Sequence, residues 1–324
     1  MSRPRPGAAR ARLLFVAANP SIDRLYEFDR FTAGEIHRPR SAVAVAGGKG
    51  LNAARAAATL GGSVTAVGIA AGRTGDWIVE RLAELGIDAR MARASGETRT
   101  CVSVLDRSTG ELTEIYESGE AIGDAAWDAL EAIVRAELGH GEVAAVAVSG
   151  SLPPGAPTDG YGRIARIAAA IEPPVPVLAD TYGPALGAVL AEAPAIVKLN
   201  ASEAAEASGV VVSDVRSAVA AAGVLREAGA ASVIVTLGLA GAVVVSDEEL
   251  TQLRPPDIRG AYPVGSGDAF LGGFAVAYAR GESVVDAARL GLAAGIANAR
   301  LPGAGTLDPT AIDALLEQVA STPI

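Results

Sequence analysis

The chain has 324 residues, half of them hydrophobic, and a formal net charge of −10. That length lets an α/β fold bury a large core as one body, while the acidic balance disfavours nonspecific nucleic-acid binding, which needs a basic surface. A single cysteine, Cys101, excludes an intramolecular disulfide and a cysteine-cluster metal site; it reads as a small core residue in a strand.

In chain order, residues 1–11 are basic and contain Pro4 and Pro6, which predicts a disordered tail. The apolar run from Leu13 to Ala18 is too short for a signal sequence or a membrane span. It starts a buried strand in a chain expected to be cytoplasmic, with no membrane and no nucleic-acid partner. Further strands are expected at residues 64–69, 144–149, 175–179, 195–199, 232–237 and 242–246. Helical patterns fall at residues 51–60, 77–85, 125–137, 161–171, 215–228, 268–280, 284–299 and 310–319. Several end at a glycine suited to a left-handed C-terminal cap, as at Gly61, Gly86 and Gly229. Strand and helix in alternation predict one domain over residues 12–320, with a mostly parallel sheet covered on both faces. Segments at about 25–45 and 89–116 break the rhythm and read as short strands with turns, one pair flanking the polar hairpin at 106–110. They are expected to form a small second sheet, a lid, whose open edges invite pairing in a homodimer.

The most informative segment runs from Val264 to Phe274, Val-Gly-Ser-Gly-Asp-Ala-Phe-Leu-Gly-Gly-Phe. Gly265 and Gly267 permit a tight turn and close approach by a ligand. A helix then begins, with Phe270, Phe274 and Tyr278 on one face. Its unpaired first-turn amides, around Gly265, Ser266 and Gly267, form an anion site favoured by the helix dipole. Asp268 stands in that turn. An aspartate there can simply cap a helix, but capping needs no glycine pair, whereas cradling a phosphate does. A carboxylate beside an anion hole can take a proton from an attacking hydroxyl while the amides stabilise a transferring phosphoryl group. Gly47-Gly-Lys-Gly lacks the spacing and the Ser or Thr of a Walker loop, and no dinucleotide fingerprint follows the first strand. Of 27 basic residues only Lys49 and Lys198 are lysines, and both lie in distinctive segments, Gly-Gly-Lys-Gly and Lys-Leu-Asn-Ala-Ser-Glu.

Gly265-Ser-Gly-Asp268 resembles the Gly-Ala-Gly-Asp signature of PfkB-type carbohydrate kinases, with Ser266 in place of alanine. Gly47-Gly-Lys-Gly-Leu-Asn52, Asn200-Ala-Ser-Glu203, Thr236-Leu-Gly-Leu-Ala-Gly241, Ser149-Gly-Ser-Leu-Pro-Pro-Gly155 and Asn19-Pro-Ser-Ile-Asp23 are similar to further elements of that family, in its order. The combination is most similar to the branch acting on fructose 1-phosphate and tagatose 6-phosphate. The resemblance implies a ribokinase-like three-layer α/β sandwich with a β lid, ATP and Mg²⁺ as cofactors, and a ketohexose phosphate as substrate.

It also implies residue roles. Asp23, Gly47, Gly48 and Asn52 are expected around the sugar, although Asp23 could serve only a turn and Asn52 only a helix start. Arg99 matches the cation for the substrate phosphate and can offer a planar fork. Lys49, Ser151 and Arg38 are further candidates, the last across a dimer or merely on a solvated basic edge. Lys198, Thr236, Gly238, Gly241 and Asn298 are expected to border ATP. Asn200 and Glu203 are expected to hold Mg²⁺ largely through water, or Glu203 only to start a helix. His37 and His140 have no metal-ligand spacing. Two alternatives remain at this level: a kinase of an unphosphorylated sugar or nucleoside, against which an aromatic content of 4% weighs, and a non-catalytic sugar-phosphate sensor.

Overall fold

The computed structural model describes residues 12–324, and the expected tail at 1–11 lies outside them. In order, the elements are β1 (Arg12–Ala17), β2 (Ser21–Phe28), β3 (Ser41–Gly47), α1 (Lys49–Thr59), β4 (Val64–Ala71), α2 (Gly72–Glu84), β5 (Asp88–Ala94), β6 (Thr100–Asp106), β7 (Glu111–Tyr116), α3 (Asp124–Gly139), β8 (Val143–Ser149) and α4 (Gly160–Ala169). They continue with β9 (Val177–Asp180), α5 (Gly183–Leu190), β10 (Ile196–Asn200), α6 (Ala201–Ser208), α7 (Val215–Glu227), β11 (Ser232–Thr236), β12 (Ala242–Val245), β13 (Leu250–Arg254), α8 (Ser266–Ala279), α9 (Val284–Asn298), α10 (Ile312–Gln318) and β14 (Ala320–Pro323).

Ten strands form one sheet in the order β14-β13-β12-β11-β10-β9-β8-β1-β4-β5. It is parallel from β11 to β5, and the β12 to β14 edge runs antiparallel. The residues of β1 explain why both faces are covered. Leu13, Phe15 and Ala17 enter one core with side chains of α1, α2, α8, α9 and α10. Leu14 and Val16 enter the other, with those of α3 to α7. The two-residue period of a strand thus turns an unbroken apolar run into two separate cores. Small residues set how closely the layers lie. A Cβ on Gly272 of α8 would stand 2.5 Å from the Ala53 carbonyl oxygen of α1.

A second sheet, β3-β2-β6-β7, stands apart from the first. Its β2 and β6 run parallel, and its outer pairs antiparallel. Three residues link β1 to β2, so the chain steps directly from the large sheet into the small one. The hairpin around residues 106–110 joins β6 to β7 as expected. One expectation changes: β5, placed in the lid by its sequence, pairs in parallel with β4 at the edge of the large sheet. Its Asp-Ala-Arg-Met-Ala-Arg-Ala alternation suits any half-exposed edge strand, so periodicity alone does not choose the sheet. Four short elements, α5, α6, β13 and β14, are absent from the sequence reading. Each has eight or fewer residues, which leaves little periodic signal. Among the described residues no helix is long and apolar enough to cross a membrane.

Candidate active site

A cavity of about 880 Å³ opens between the carboxyl ends of the parallel strands and the small sheet, where open α/β sheets bind their ligands. At its floor, Gly265 initiates α8 with φ of 83°. A Cβ there would lie 2.6 Å from the Ala304 Cα, so the position requires glycine on both steric and conformational grounds. Contrary to expectation the Ser266 amide is spent, donating to the Pro263 carbonyl at 3.2 Å, while the Gly267 and Asp268 amides precede the first helical hydrogen bond, which Ala269 makes to Gly265 at 2.8 Å. The Lys198 ammonium lies beside them, 3.0 Å from where a Cβ of Gly267 would sit.

Asp268 follows in that turn, 7% exposed. Its Oδ2 accepts a hydrogen bond from Asn52 Nδ2 at 3.0 Å. The carboxyl pKa is raised to about 6, first by burial and then by the neighbouring Asp180, against the opposing pull of Lys49, Lys198 and the Asn52 hydrogen bond. The same Asn52 nitrogen donates to Asp23 Oδ2 at 3.1 Å. Asp23 also accepts from the Gly48 amide at 3.1 Å and from Ser21 Oγ at 2.5 Å. Gly47 leaves space for that carboxylate, since a Cβ there would fall 2.2 Å from it.

Two lysines converge on Asp180, a fully buried carboxylate at the end of β9 that the sequence reading missed. Lys198 Nζ donates to its Oδ2 at 2.7 Å, and Lys49 Nζ stands 3.6 Å from its Oδ1. Burial alone would raise the Asp180 pKa, but both ammonium groups outweigh it and hold the carboxyl below its ordinary value. Burial alone would lower the Lys49 pKa; Asp180, Glu203 and Asp268 override it and keep the amine protonated. Lys49 also donates to Glu203 Oε1 at 2.8 Å and lies over the Tyr182 ring.

Asn200 and Glu203 form a reciprocal capping box at the start of α6. The Glu203 amide donates to Asn200 Oδ1 at 2.9 Å, and the Asn200 amide to Glu203 Oε2 at 3.0 Å. Each Glu203 oxygen retains a second lone pair. The pair therefore suits a water-mediated contact with a hydrated Mg²⁺ better than a direct cage. Among the described residues no group of three or more His, Cys, Asp or Glu could hold a metal ion.

Of the other expected residues, Gly48, Arg99, Thr236 and Gly238 line the cavity. Arg99 spends its fork on backbone carbonyls, those of Glu117 at 3.0 Å and Asn19 at 3.1 Å. Cys101 is buried as expected, but in the lid strand β6 and on the cavity wall. Six expected residues lie off that wall, Gly47 beneath the Asp23 carboxylate being one. Asn298, expected near the adenosine, is fully buried behind the Gly265–Gly267 turn and donates to the Val264 carbonyl at 2.9 Å and to Ser266 Oγ at 3.3 Å. Ser266 is therefore turned inward. Gly241 shapes the β11–β12 turn against Leu253, and Ser151 accepts from Asn19 Nδ2 at 3.1 Å. Arg38 is exposed on the β2–β3 loop, away from the cavity of its own chain. Tyr262 and Val212 to Val215, unremarked in the sequence, complete the wall. A terminal Asp on a parallel strand was the available signal for Asp180; Tyr262 had none beyond its place next to Pro263.

Comparison with known proteins agrees with this geometry. Residues 16–311 match the family model described as pfkB family carbohydrate kinase. The chain is 33% identical over 282 residues to a 1-phosphofructokinase of Rhodobacter capsulatus, covering 87% of this chain and 88% of that protein. It is 29% identical over 310 residues to a tagatose-6-phosphate kinase of Staphylococcus epidermidis, covering 95% and 98%. The crystal structure of phosphofructokinase-2 from Escherichia coli in complex with potassium superposes with a TM-score of 0.84 at 28% identity, covering 95% of this chain and 98% of that one. With the three-layer fold, the small second sheet and the glycine-flanked aspartate, these matches establish that the chain belongs to the pfkB family of carbohydrate kinases.

Proposed function

We propose that this kinase transfers the γ-phosphoryl group of ATP to a hydroxyl of a ketohexose phosphate of the fructose 1-phosphate or tagatose 6-phosphate type. The observation that carries the reading is Asp268: a buried carboxylate with a pKa raised to about 6, in the same turn as unpaired helix amides. A base poised slightly below neutral pH is ionised in use yet basic enough to accept a proton. Asp268 takes the hydroxyl proton, while the amides of Gly265 and Gly267 and the Lys198 ammonium offset charge on the transferring group. Asp23, Asn52 and the Gly47–Gly48 turn orient the sugar hydroxyls. Arg99 faces the substrate phosphate from the lid side, and Lys49 bridges the sugar and nucleotide sides. Asn200, Thr236, Gly238 and the segment 212–215 border ATP. Mg²⁺, when bound, neutralises phosphate charge, and Asn200 and Glu203 would hold it through water. The names of the relatives support a phosphorylated hexose as acceptor.

A homodimer formed through the lid belongs to the same reading. Ile36 (92% exposed), Ile115 (58%) and Phe31 all sit on the small sheet or its β2–β3 loop, and a second copy would cover them. It would also bring Arg38 toward the neighbouring cavity.

An ADP-release assay over a panel of sugar phosphates, ribose and adenosine tests the assignment. Fructose 1-phosphate or tagatose 6-phosphate should give the highest kcat/KM. Faster turnover of ribose or adenosine would refute the substrate class, and ATP-independent binding alone would refute catalysis.

A further inference from the structure

Arg55 is a buried cation outside the machinery described so far. It lies on α1, one turn beyond Asn52, and no carboxylate approaches it within ion-pair distance among the described residues. A buried guanidinium without a direct counter-ion is costly and rarely kept for packing alone. Its donors go to the Ala304 carbonyl at 2.8 Å, Thr306 Oγ1 at 3.0 Å, Asn52 Oδ1 at 3.4 Å and the Ala46 carbonyl at 3.5 Å.

These partners converge on one object. The Asn52 amide has two N–H donors, and both are committed: one to Asp23, one to Asp268. Rotated by half a turn, the amide would set its oxygen against two carboxylate oxygens at about hydrogen-bond distance, a repulsive arrangement. A cation on the oxygen side selects the productive orientation. The loop that Arg55 grips is wedged into the same place. A Cβ on Gly305 would lie 2.8 Å from Asn52 Cα, and Ala304 stands directly behind Gly265.

We propose that Arg55 is a positioning residue for phosphoryl transfer: it holds the Asn52 amide with its nitrogen toward Asp23 and Asp268, and locks the 303–306 loop behind the anion-binding turn. This rests on the reading of Asp268 as the base. The charged groups facing Asp268 are Lys49 from α1, Asp180 from β9 and Lys198 from β10, with Asn52 as its hydrogen-bond donor. Arg55 leaves the three charges in place and controls the donor. Without Arg55 the amide can turn away, the ionised form of Asp268 loses a hydrogen bond, and its pKa rises.

The test is the pH dependence of kcat for the full chain and for Arg55→Gln, Arg55→Lys, Asn52→Ala and the Asn52→Ala/Arg55→Gln double variant. In Arg55→Gln the acid limb should move up by about one pH unit, so that kcat falls roughly tenfold at acid pH and less than about threefold at alkaline pH. Arg55→Lys should fall between it and the parent. In the Asn52→Ala background, Arg55→Gln should move the limb no further. A carbon-13 titration of the Asp268 carboxyl should report the same shift without turnover, which separates this role from the substrate assignment. A loss equal at every pH, or a full additional shift in the double variant, would overturn the proposal. If Arg55→Gln does not fold, an unshifted acid limb in folded Arg55→Lys overturns it equally.

Discussion

Burial makes the Asp268 carboxyl costly to ionise, and that cost has a sign. Its folded pKa, about 6, lies above the ordinary 3.8, so between those values the folded chain binds more protons than the unfolded one. Stability from this group is therefore full below about pH 4 and is lost as pH rises through 6. Asp268→Asn should accordingly raise thermal stability above pH 7, by on the order of 2–3 kcal/mol, while lowering kcat roughly 10²–10⁴-fold. Calorimetry and steady-state kinetics on one preparation check both halves; a destabilised variant would contradict the buried-anion account. The parent enzyme should lose about tenfold in kcat per pH unit below 6 as the base protonates. At this scale the sequence is informative wherever glycine neighbours mark a residue: Lys49, Asn52 and Asp268 all reach the cavity. Asp180 carries no such mark. Its importance comes from Lys198, which the neighbouring strand β10 brings to it, and from Lys49 at the start of α1.

The site depends on the fit between α1 and α8, because α1 supplies Lys49 and Asn52 while α8 supplies Asp268. Gly272 sets their separation, pressed against Ala53 and Ala56. Gly272→Val would force the helices apart, destabilising the fold by about 1–3 kcal/mol and lengthening the Asn52–Asp268 hydrogen bond. We expect a lower melting temperature together with a loss of kcat larger than the rise in sugar KM; a variant of parental stability and activity would show that the contact yields without consequence. The capping box at α6 carries a second lesson. Asn200, expected at Mg²⁺, and Glu203, expected at Mg²⁺ or at a helix start, cap α6 together while both remain on the cavity wall, Glu203 beside Lys49. Capping and ligand binding are compatible here because the cap points the carboxylate toward the same cleft.

At the scale of the molecule, the two sheets enclose one cleft, and side-chain hydrogen bonds tie the small sheet to the rest. Tyr262, from the loop before the Gly265–Gly267 turn, donates to the buried Glu27 of the small sheet at 2.8 Å, and Arg107 meets the same carboxylate at 3.1 Å. The small sheet is thereby tied to the loop that leads into the turn of Asp268. The lid also bears the exposed Ile36 and Ile115. Ile115→Asp should shift the sedimentation coefficient from dimer to monomer and raise KM for the sugar phosphate. A monomeric parent would remove the shared-lid arrangement but leave the single-chain chemistry intact.

Local pattern was enough to determine the alternation of strands and helices, the two-faced core of β1 and the tight glycine turn at Gly265 that starts α8, because these follow from short-range periodicity and glycine chemistry. It could not assign β5 to a sheet, since an edge strand of alternating polarity satisfies either partner. Nor could it tell that Asn298, expected to border ATP, lies buried behind the Gly265–Gly267 turn, or that the hydrogen-bonded Asp23, Asn52 and Asp268 stand beside the Lys198–Asp180 pair. Those outcomes belong to tertiary structure, because strand order and helix packing are decided by which distant apolar faces bury each other, and no single segment contains both halves of that contact.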